Sequence, residues 1–414
     1  MKLSFHFISI SLRAANNTSS PSTPYFRLKS NQFLNSIQLH IKTNVTELSC
    51  MIRQAAPQSN ERVKQKVLEI LESGQYVKGP EADQFEQKFG SVNGCRYNIS
   101  CNSGTSALNL IFFAMDYPTG SEIIVPDNSF LASANAIETA GYKPVFCDID
   151  EDTMNIKINA IENCITDKTK AILVVHLYGS PADMASIMSV ANKYNLDVFE
   201  DAAQAHGSTF NGQKIGSFGL ASAFSLFPTK NLSVLGDGGI VGTNDEELYK
   251  KINALKNAGR TDKADDAEYF GYNFRLSEIL AGIGNVLLED FPNETKRRQE
   301  IANMYTEGLR DVNQVKLPKV HPDAEAVWHQ YTIKTDKRDE LKDFLKRKEI
   351  QTSIKYGVPL HLVTAFKQKY DYNHGEYPVT EKVCDQLLCL PMHPHLQDEE
   401  VAETVKSIKE FFGN

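Results

Sequence analysis

The chain has 414 residues, 41% of them hydrophobic, and a formal charge of −8. That is enough apolar material for a large core and for two domains. No apolar run approaches the roughly 18 residues a membrane span needs, and an acidic body excludes ordinary nucleic-acid binding.

Residues 1–46 contain no acid and five basic residues, which leaves −13 on the remainder. The first fifty residues are rich in Ser, Thr and Asn, a composition resembling an organelle transit peptide. A second reading stands beside it: Met51 is the true start and residues 1–50 lie outside the fold. Seven cysteines are scattered singly, without zinc spacing. They read as reduced thiols, so the expected location is cytoplasmic, with organelle targeting left open by the extension.

From residue 60 the pattern is regular. "ERVKQKVLEILESG" places Val63, Val67, Ile70 and Leu71 on one helical face, with Gly74 as C-cap. Strand and helix patterns then alternate. "YNISC" is a strand and "SGTSALNLIFFAM" a helix. "EIIVP" is a strand, "ASANAIETAG" a helix, and "PVFCDI" a strand. "KAILVVHLYG" is nearly all apolar, as in strands buried on both faces. The helix "DMASIMSVANKY", the strands "DVFEDA", "ASAFSLF" and "GGIVGTN", and the helix "DEELYKKINALKN" follow. This alternation predicts an α/β domain of three layers around a mostly parallel sheet. Beyond it, a charged helix opening near Pro292, strand-like "WHQYTIKT", helical "RDELKDFLKRKE" and a closing helix "DEEVAETVKSIKEFF" predict a smaller α+β domain. The expected divisions are an extension at 1–50, a large domain at 51–294 and a small domain at 295–414. The cleft between the two domains is the expected ligand site.

Ligands of open α/β sheets collect at the carboxyl ends of strands. "SGTSAL" follows a strand and opens a helix, so the N–H groups of Gly104, Thr105 and Ser106 and two hydroxyls could hold a phosphate. Taken singly, the motif is an ordinary N-cap. Asp201, in "FEDAAQAHG", ends an apolar strand and could pair with a cationic ring nitrogen. Phe130 sits at a strand-to-helix turn, where it could stack on a flat ligand; alone it would pass for a core residue. Lys230 lies between "FSLFP" and "GDGG", where an apolar strand empties into a glycine turn. Partial burial there lowers an amine's pKa and makes it a nucleophile toward carbonyls. Ser225, five residues earlier, is a second phosphate donor. Together these groups describe one cofactor, pyridoxal 5'-phosphate. No metal is expected.

The blocks "SGQYVKGPEADQFEQKFG", "NSGTSALNL", "HLYGSPADM", "EDAAQAHGS", "FSLFPTKNLSVLGDGG", "GYNFRLSEILAGIG" and "PLHL" occur in one order. In this the chain resembles the DegT/StrS-type sugar aminotransferases, a pyridoxal-phosphate family with the aspartate-aminotransferase fold (fold type I). The resemblance runs from about residue 60 to about 410. It implies that Lys230 bonds covalently to the cofactor and shuttles the proton, and that Asp201 pairs with the ring nitrogen. It implies that Gln204 lies against the cofactor, that Thr105, Ser106 and Ser225 hold the phosphate, and that Gly104 permits close approach. Phe130 would stack on the ring. Asn273 would reach the cofactor phosphate of a second subunit, which implies a homodimer with shared sites. His329 and Tyr331, in "WHQY", would border a sugar-nucleotide pocket. The departures from the family wording, Lys334, Lys355 and Gly357, are expected to lie away from the cofactor.

The implied reaction moves an amino group from glutamate to a nucleotide-linked keto-deoxysugar, at C3 or C4, giving an amino sugar for glycan or polysaccharide synthesis. Two alternatives stand: a non-catalytic, cofactor-binding regulator or sensor, and a sugar dehydratase. Related dehydratases carry histidine at the lysine position, so Lys230 speaks against the second.

Overall fold

A computed structural model describes residues 51–261 and 266–413; the reading of residues 1–50 lies outside the described residues. Helix α1 (Glu61–Ser73) opens at Asn60, whose side chain accepts the Val63 N–H. It ends at Gly74, with φ +70°, as the C-cap reading expects. Helix α2 (Pro80–Asn93) starts on a proline, which lacks only an N–H the first turn would leave unpaired.

The alternating segment folds as β1 (Tyr97–Cys101), α3 (Gly104–Ala114), β2 (Glu122–Pro126), α4 (Leu131–Thr139) and β3 (Lys143–Cys147). Then come β4 (Thr169–Val175), α5 (Met184–Tyr194), β5 (Asp197–Asp201), β6 (Ala221–Ser225), β7 (Gly239–Thr243) and α6 (Glu246–Leu255). The seven strands form one sheet in the order β1-β7-β6-β5-β4-β2-β3. Neighbours from β3 through β6 pair parallel, and β7 runs antiparallel between β1 and β6. Both faces are covered. Ile123, Val125 and Leu173 pack with Phe112 and Phe199 on one side. Ile124, Ile172 and Val174 pack with Phe89 and Phe224 on the other. Alternate residues of a strand point to opposite faces, so the apolar runs of β2 and β4 serve two cores.

Helix α7 corrects one expectation. It does not open near Pro292 but runs from Glu278 to Leu309, 32 residues, with the proline inside and the expected boundary at 294/295 within it. Packing overrides the local penalty of proline. Ala281, Gly282, Ile283 and Val286 are buried before Pro292, and Ile301, Ala302, Tyr305 and Leu309 after it. The last two groups of elements are β8 (Tyr331–Lys334) with α8 (Arg338–Arg347), and α9 (Pro378–Gln386), β9 (Leu387–Leu390) and α10 (Asp398–Phe412). β8 and β9 pair antiparallel. Ile301, Tyr305, Leu341, Leu388, Val401 and Ile408 form a separate apolar cluster that also takes in Ile52. Among the described residues no helix is long and apolar enough to cross a membrane.

Candidate active site

Strand register brings the candidate residues together. Cys101 of β1 and Ser225 of β6 both stand opposite Gly239, one on each side of β7. The Ser103–Ser106 turn that opens α3 therefore lies beside the end of β6. Ser103 caps the helix: its Oγ accepts the Ser106 N–H at 3.0 Å and lies 2.9 Å from the Ser106 hydroxyl. Two glycines make the approach possible. A Cβ on Gly104 would stand 2.6 Å from the Ser225 Cβ, and one on Gly239 would stand 2.3 Å from the Ser103 carbonyl oxygen. The result is a cradle of backbone N–H groups at a helix N-terminus, flanked by the hydroxyls of Thr105, Ser106 and Ser225. This is the chemistry that holds a phosphate.

The strand next to β6, β5, ends in Asp201, paired in register with Ala223. Its carboxylate is buried and accepts the Ser133 hydroxyl at 2.6 Å and the Ala203 N–H at 3.2 Å. Burial raises its pKa; the Ser133 and Ala203 hydrogen bonds and the Lys230 charge oppose the rise. Lys230 is half-buried in the turn after β6. Burial pushes its amine down to about 8, against the pull of Asp201, and Lys355 pushes in the same direction as burial. This is a lowered amine electrostatically coupled to a buried carboxylate, with a phosphate cradle at the end of the neighbouring strand.

Gln204 follows Asp201 by three residues. Its Oε1 accepts the Tyr178 N–H at 2.7 Å, and its Nε2 donates to the Tyr356 hydroxyl at 3.1 Å. Phe130 precedes α4 and is about half exposed, with its ring 5.7 Å from that of Tyr356. The residues here fit pyridoxal phosphate: a cradle only glycine can close, a strand-end carboxylate, and a lysine that burial makes partly neutral.

A profile of the DegT/DnrJ/EryC1/StrS aminotransferase family matches residues 57–409. The chain belongs to that family. It is 39% identical to the dTDP-3-amino-3,6-dideoxy-alpha-D-galactopyranose transaminase of Aneurinibacillus thermoaerophilus, over 87% of this chain and 98% of the relative. DesV of S. venezuelae, solved with a ketimine intermediate, superposes with a TM-score of 0.82 at 35% identity, over 85% of this chain and 94% of DesV. NtdA of Bacillus subtilis, solved with bound cofactor PMP, gives 0.80 at 30% identity, over 86% and 82%. The protein is thus a pyridoxal-phosphate-dependent aminotransferase of the α/β fold expected for DegT/DnrJ/EryC1/StrS members.

The remaining sequence-derived residues fall in three places. His329 is buried beside the site, its Nδ1 3.3 Å from Asn231 Oδ1; burial, with the Lys230 charge next, holds the imidazole well below its ordinary pKa. Asn273 is exposed on the surface of this chain. Tyr331 lies elsewhere: it is fully buried, its hydroxyl 2.8 Å from Thr306 Oγ1, between the rings of Tyr305 and Trp328. Strand periodicity would put residues two apart on one face; they part because only Tyr331 lies in β8, while His329 precedes it, next to Trp328, whose φ is +50°. The expectation that Lys355 lies away from the cofactor residues is corrected, since its charge acts on both Lys230 and His329. Lys334 does lie elsewhere: it is buried in β8 and donates to the Glu151 carbonyl.

Sequence reading missed Ser133, Tyr178, Asn231 and Tyr356. Ser133 stood in plain view, three residues past Phe130, on the turn of α4 nearest the strand end. Tyr178 is held with φ +59°, a conformation rare outside glycine, and no local pattern announces it. Asn231 Nδ2 donates to the Val327 carbonyl at 2.8 Å, a contact across 96 residues of chain.

Proposed function

We propose that this aminotransferase takes its amino group from glutamate and delivers it to a keto group, at C3 or C4, of a nucleotide-diphosphate-linked deoxysugar. The product is an amino sugar for glycan or polysaccharide synthesis. One observation carries the reading: the charge of buried Asp201, at the carboxyl end of β5, acts on the half-buried amine of Lys230, whose pKa burial lowers to about 8. The sugar-nucleotide part rests on the likeness to a dTDP-amino-sugar transaminase.

Bound pyridoxal phosphate supplies an aldehyde and an electron-withdrawing ring. The chain supplies the rest. The Lys230 amine, when neutral, would be the nucleophile toward that aldehyde, and as an amine it would carry the proton that leaves the donor's carbon. Asp201, kept in place by Ser133 and Ala203, would hold a proton on the cofactor's ring nitrogen by charge. The Gly104–Ser106 N–H groups and the hydroxyls of Thr105, Ser106 and Ser225 would hold the phosphate. Phe130 would stack on the ring, and Gln204 would lie against the cofactor. His329, buried and held uncharged, would border the sugar-nucleotide pocket without repelling Lys230.

The working enzyme is a homodimer in this reading, with Asn273 reaching the partner's phosphate site. Phe130, Phe227, Phe270 and Tyr272 are all exposed on the single chain, an apolar set that a second copy would cover. A reducing compartment such as the cytoplasm fits the six free cysteines among the described residues.

The test is borohydride reduction of cofactor-saturated protein, followed by peptide mass mapping. The cofactor mass should sit on Lys230 and vanish in Lys230→Ala. The same protein, given glutamate and a panel of keto-sugar nucleotides, should yield 2-oxoglutarate and an aminated product. An adduct on another residue overturns the role of Lys230. An adduct on Lys230 with no glutamate consumed would identify a regulator instead.

A further inference from the structure

Strand β3 ends in Cys147, and the chain then turns back on itself. Ile149 bridges Ile156, and the Lys157 N–H donates to the Asp148 carbonyl at 3.0 Å. Two short helical turns, Ile158–Ile161 and Glu162–Cys164, follow and end in a second cysteine. Each thiol points toward the stretch of backbone that carries the other. Cys147 Sγ lies 3.9 Å from the Lys157 carbonyl oxygen, where those turns begin. Cys164 Sγ lies 3.6 Å from the carbonyl oxygen of Phe146, the residue bonded to Cys147, and 3.4 Å from that of Ala160. The Phe146 contact puts the Cys164 sulfur within about 6.5 Å of the Cys147 Cα, the scale on which two cysteines are bridged without moving backbone. Both pack in one apolar cluster with Ile156 and Ile161.

The two thiols are not alike. Cys147 is fully buried, whereas Cys164, alone among the described cysteines, is only partly buried. A hydrogen bond from Cys147 lowers the Cys164 pKa, against the effect of burial. The same hydrogen bond, with burial next, raises that of Cys147. A more accessible thiol beside a buried one is the arrangement in which the first is oxidised and the second closes on it. The aminotransfer chemistry uses neither sulfur.

We propose that Cys147 and Cys164 form a reversible disulfide when the protein meets a hydroperoxide, with Cys164 oxidised first and Cys147 closing the bond. The Cys164 sulfur attacks one peroxide oxygen. An S–O bond forms, the O–O bond breaks, and the leaving oxygen takes up the Cys164 proton; with hydrogen peroxide that product is water. The Cys147 sulfur then attacks the Cys164 sulfur. The S–S bond forms, the S–O bond breaks, and hydroxide leaves as water with the Cys147 proton. Two thiols thereby lose two electrons and two protons, and one hydrogen peroxide becomes two waters. A dithiol reverses the modification by exchange.

The test exposes the full-length, cofactor-loaded protein to a small excess of hydrogen peroxide. Free thiols are then blocked with N-ethylmaleimide, and a non-reducing digest that cuts after Lys157 separates the two cysteines. Mass spectrometry with fragmentation should find their peptides linked, two hydrogens lighter than the reduced pair, and released by dithiothreitol. Cys164→Ala should abolish the link. In Cys147→Ala the oxidation of Cys164 should stop at the sulfenic acid, and dimedone should capture it about ten-fold more than in wild type. Melting temperatures check that the variants fold; Cys164→Ala, at the partly buried position, decides the matter should Cys147→Ala fail to fold. Wild-type protein whose Cys147 and Cys164 are both recovered as maleimide adducts, or oxidised without a link, overturns the proposal. So does a link from either one to another cysteine or to a second chain. No step passes through Lys230, so each result holds whether or not the protein transaminates.

Discussion

Lys230 owes its reactivity to a contest between burial and Asp201. Burial disfavours the ammonium and lowers the pKa to about 8; Asp201 favours it and limits the drop. At pH 7 about one-tenth of such an amine is neutral, and above pH 9 nearly all of it is. The rate at which cofactor-free protein takes up pyridoxal phosphate should therefore climb about ten-fold from pH 6 to 7 and level off above 8. Stopped-flow absorbance measures this, and a flat profile across pH 6–9 would contradict it. Asp201→Asn removes the charge that favours the ammonium, so the midpoint should move lower still. The identity of Lys230 and Asp201 was legible because an apolar strand ending in a charge is rare. Tyr356 was not, because nothing near residue 356 records that Gln204 lies 3.1 Å away across 152 residues.

At the scale of elements, the phosphate cradle depends on β7 passing close to the turn that opens α3. The constraint at Gly239 is space. A methyl group there would stand 2.3 Å from the Ser103 carbonyl oxygen and 2.8 Å from the Gly104 nitrogen, both backbone atoms that cannot step aside. Gly239→Ala should cost about 1–3 kcal/mol of stability and speed cofactor loss about ten-fold or more, because the turn must open to admit the methyl. Thermal melts and dialysis against cofactor-free buffer measure the two effects; an unchanged off-rate would show that the turn can move. Elements also differ in how well the sequence announces them. β4 declares itself by the apolar run Ala171–Val175 within its seven residues. β9 does not, because Leu387–Leu390 is four residues long and follows α9 without a break. Pro292 misleads for the opposite reason: its signal is strong, yet packing on both sides keeps α7 intact.

At the scale of the molecule, the exposed aromatic residues cluster in the chain where the site does. Phe130 precedes α4, Phe227 precedes Lys230, and Phe270 and Tyr272 precede Asn273. If a second copy covers them, light scattering should give twice the chain mass. Phe270→Glu, a change at a fully exposed ring, should then shift the protein toward the single-chain mass and reduce turnover by ten-fold or more. A variant that stays at wild-type mass and activity would remove Phe270 from any interface.

The amino-acid order by itself determined the alternating α/β architecture, the strand ends that carry chemistry, and the lysine, carboxylate and glycine-rich turns at those ends. These are local facts, written in periodicities of two and 3.6 residues and in the backbone freedom of glycine. Only the tertiary structure decided that the Gly104 turn meets Ser225 at the end of β6, that Tyr331 faces a core while His329 borders the site, and that the Tyr356 hydroxyl reaches Gln204. Each of those depends on contacts between residues tens to hundreds of positions apart, which packing creates and no short stretch of sequence encodes.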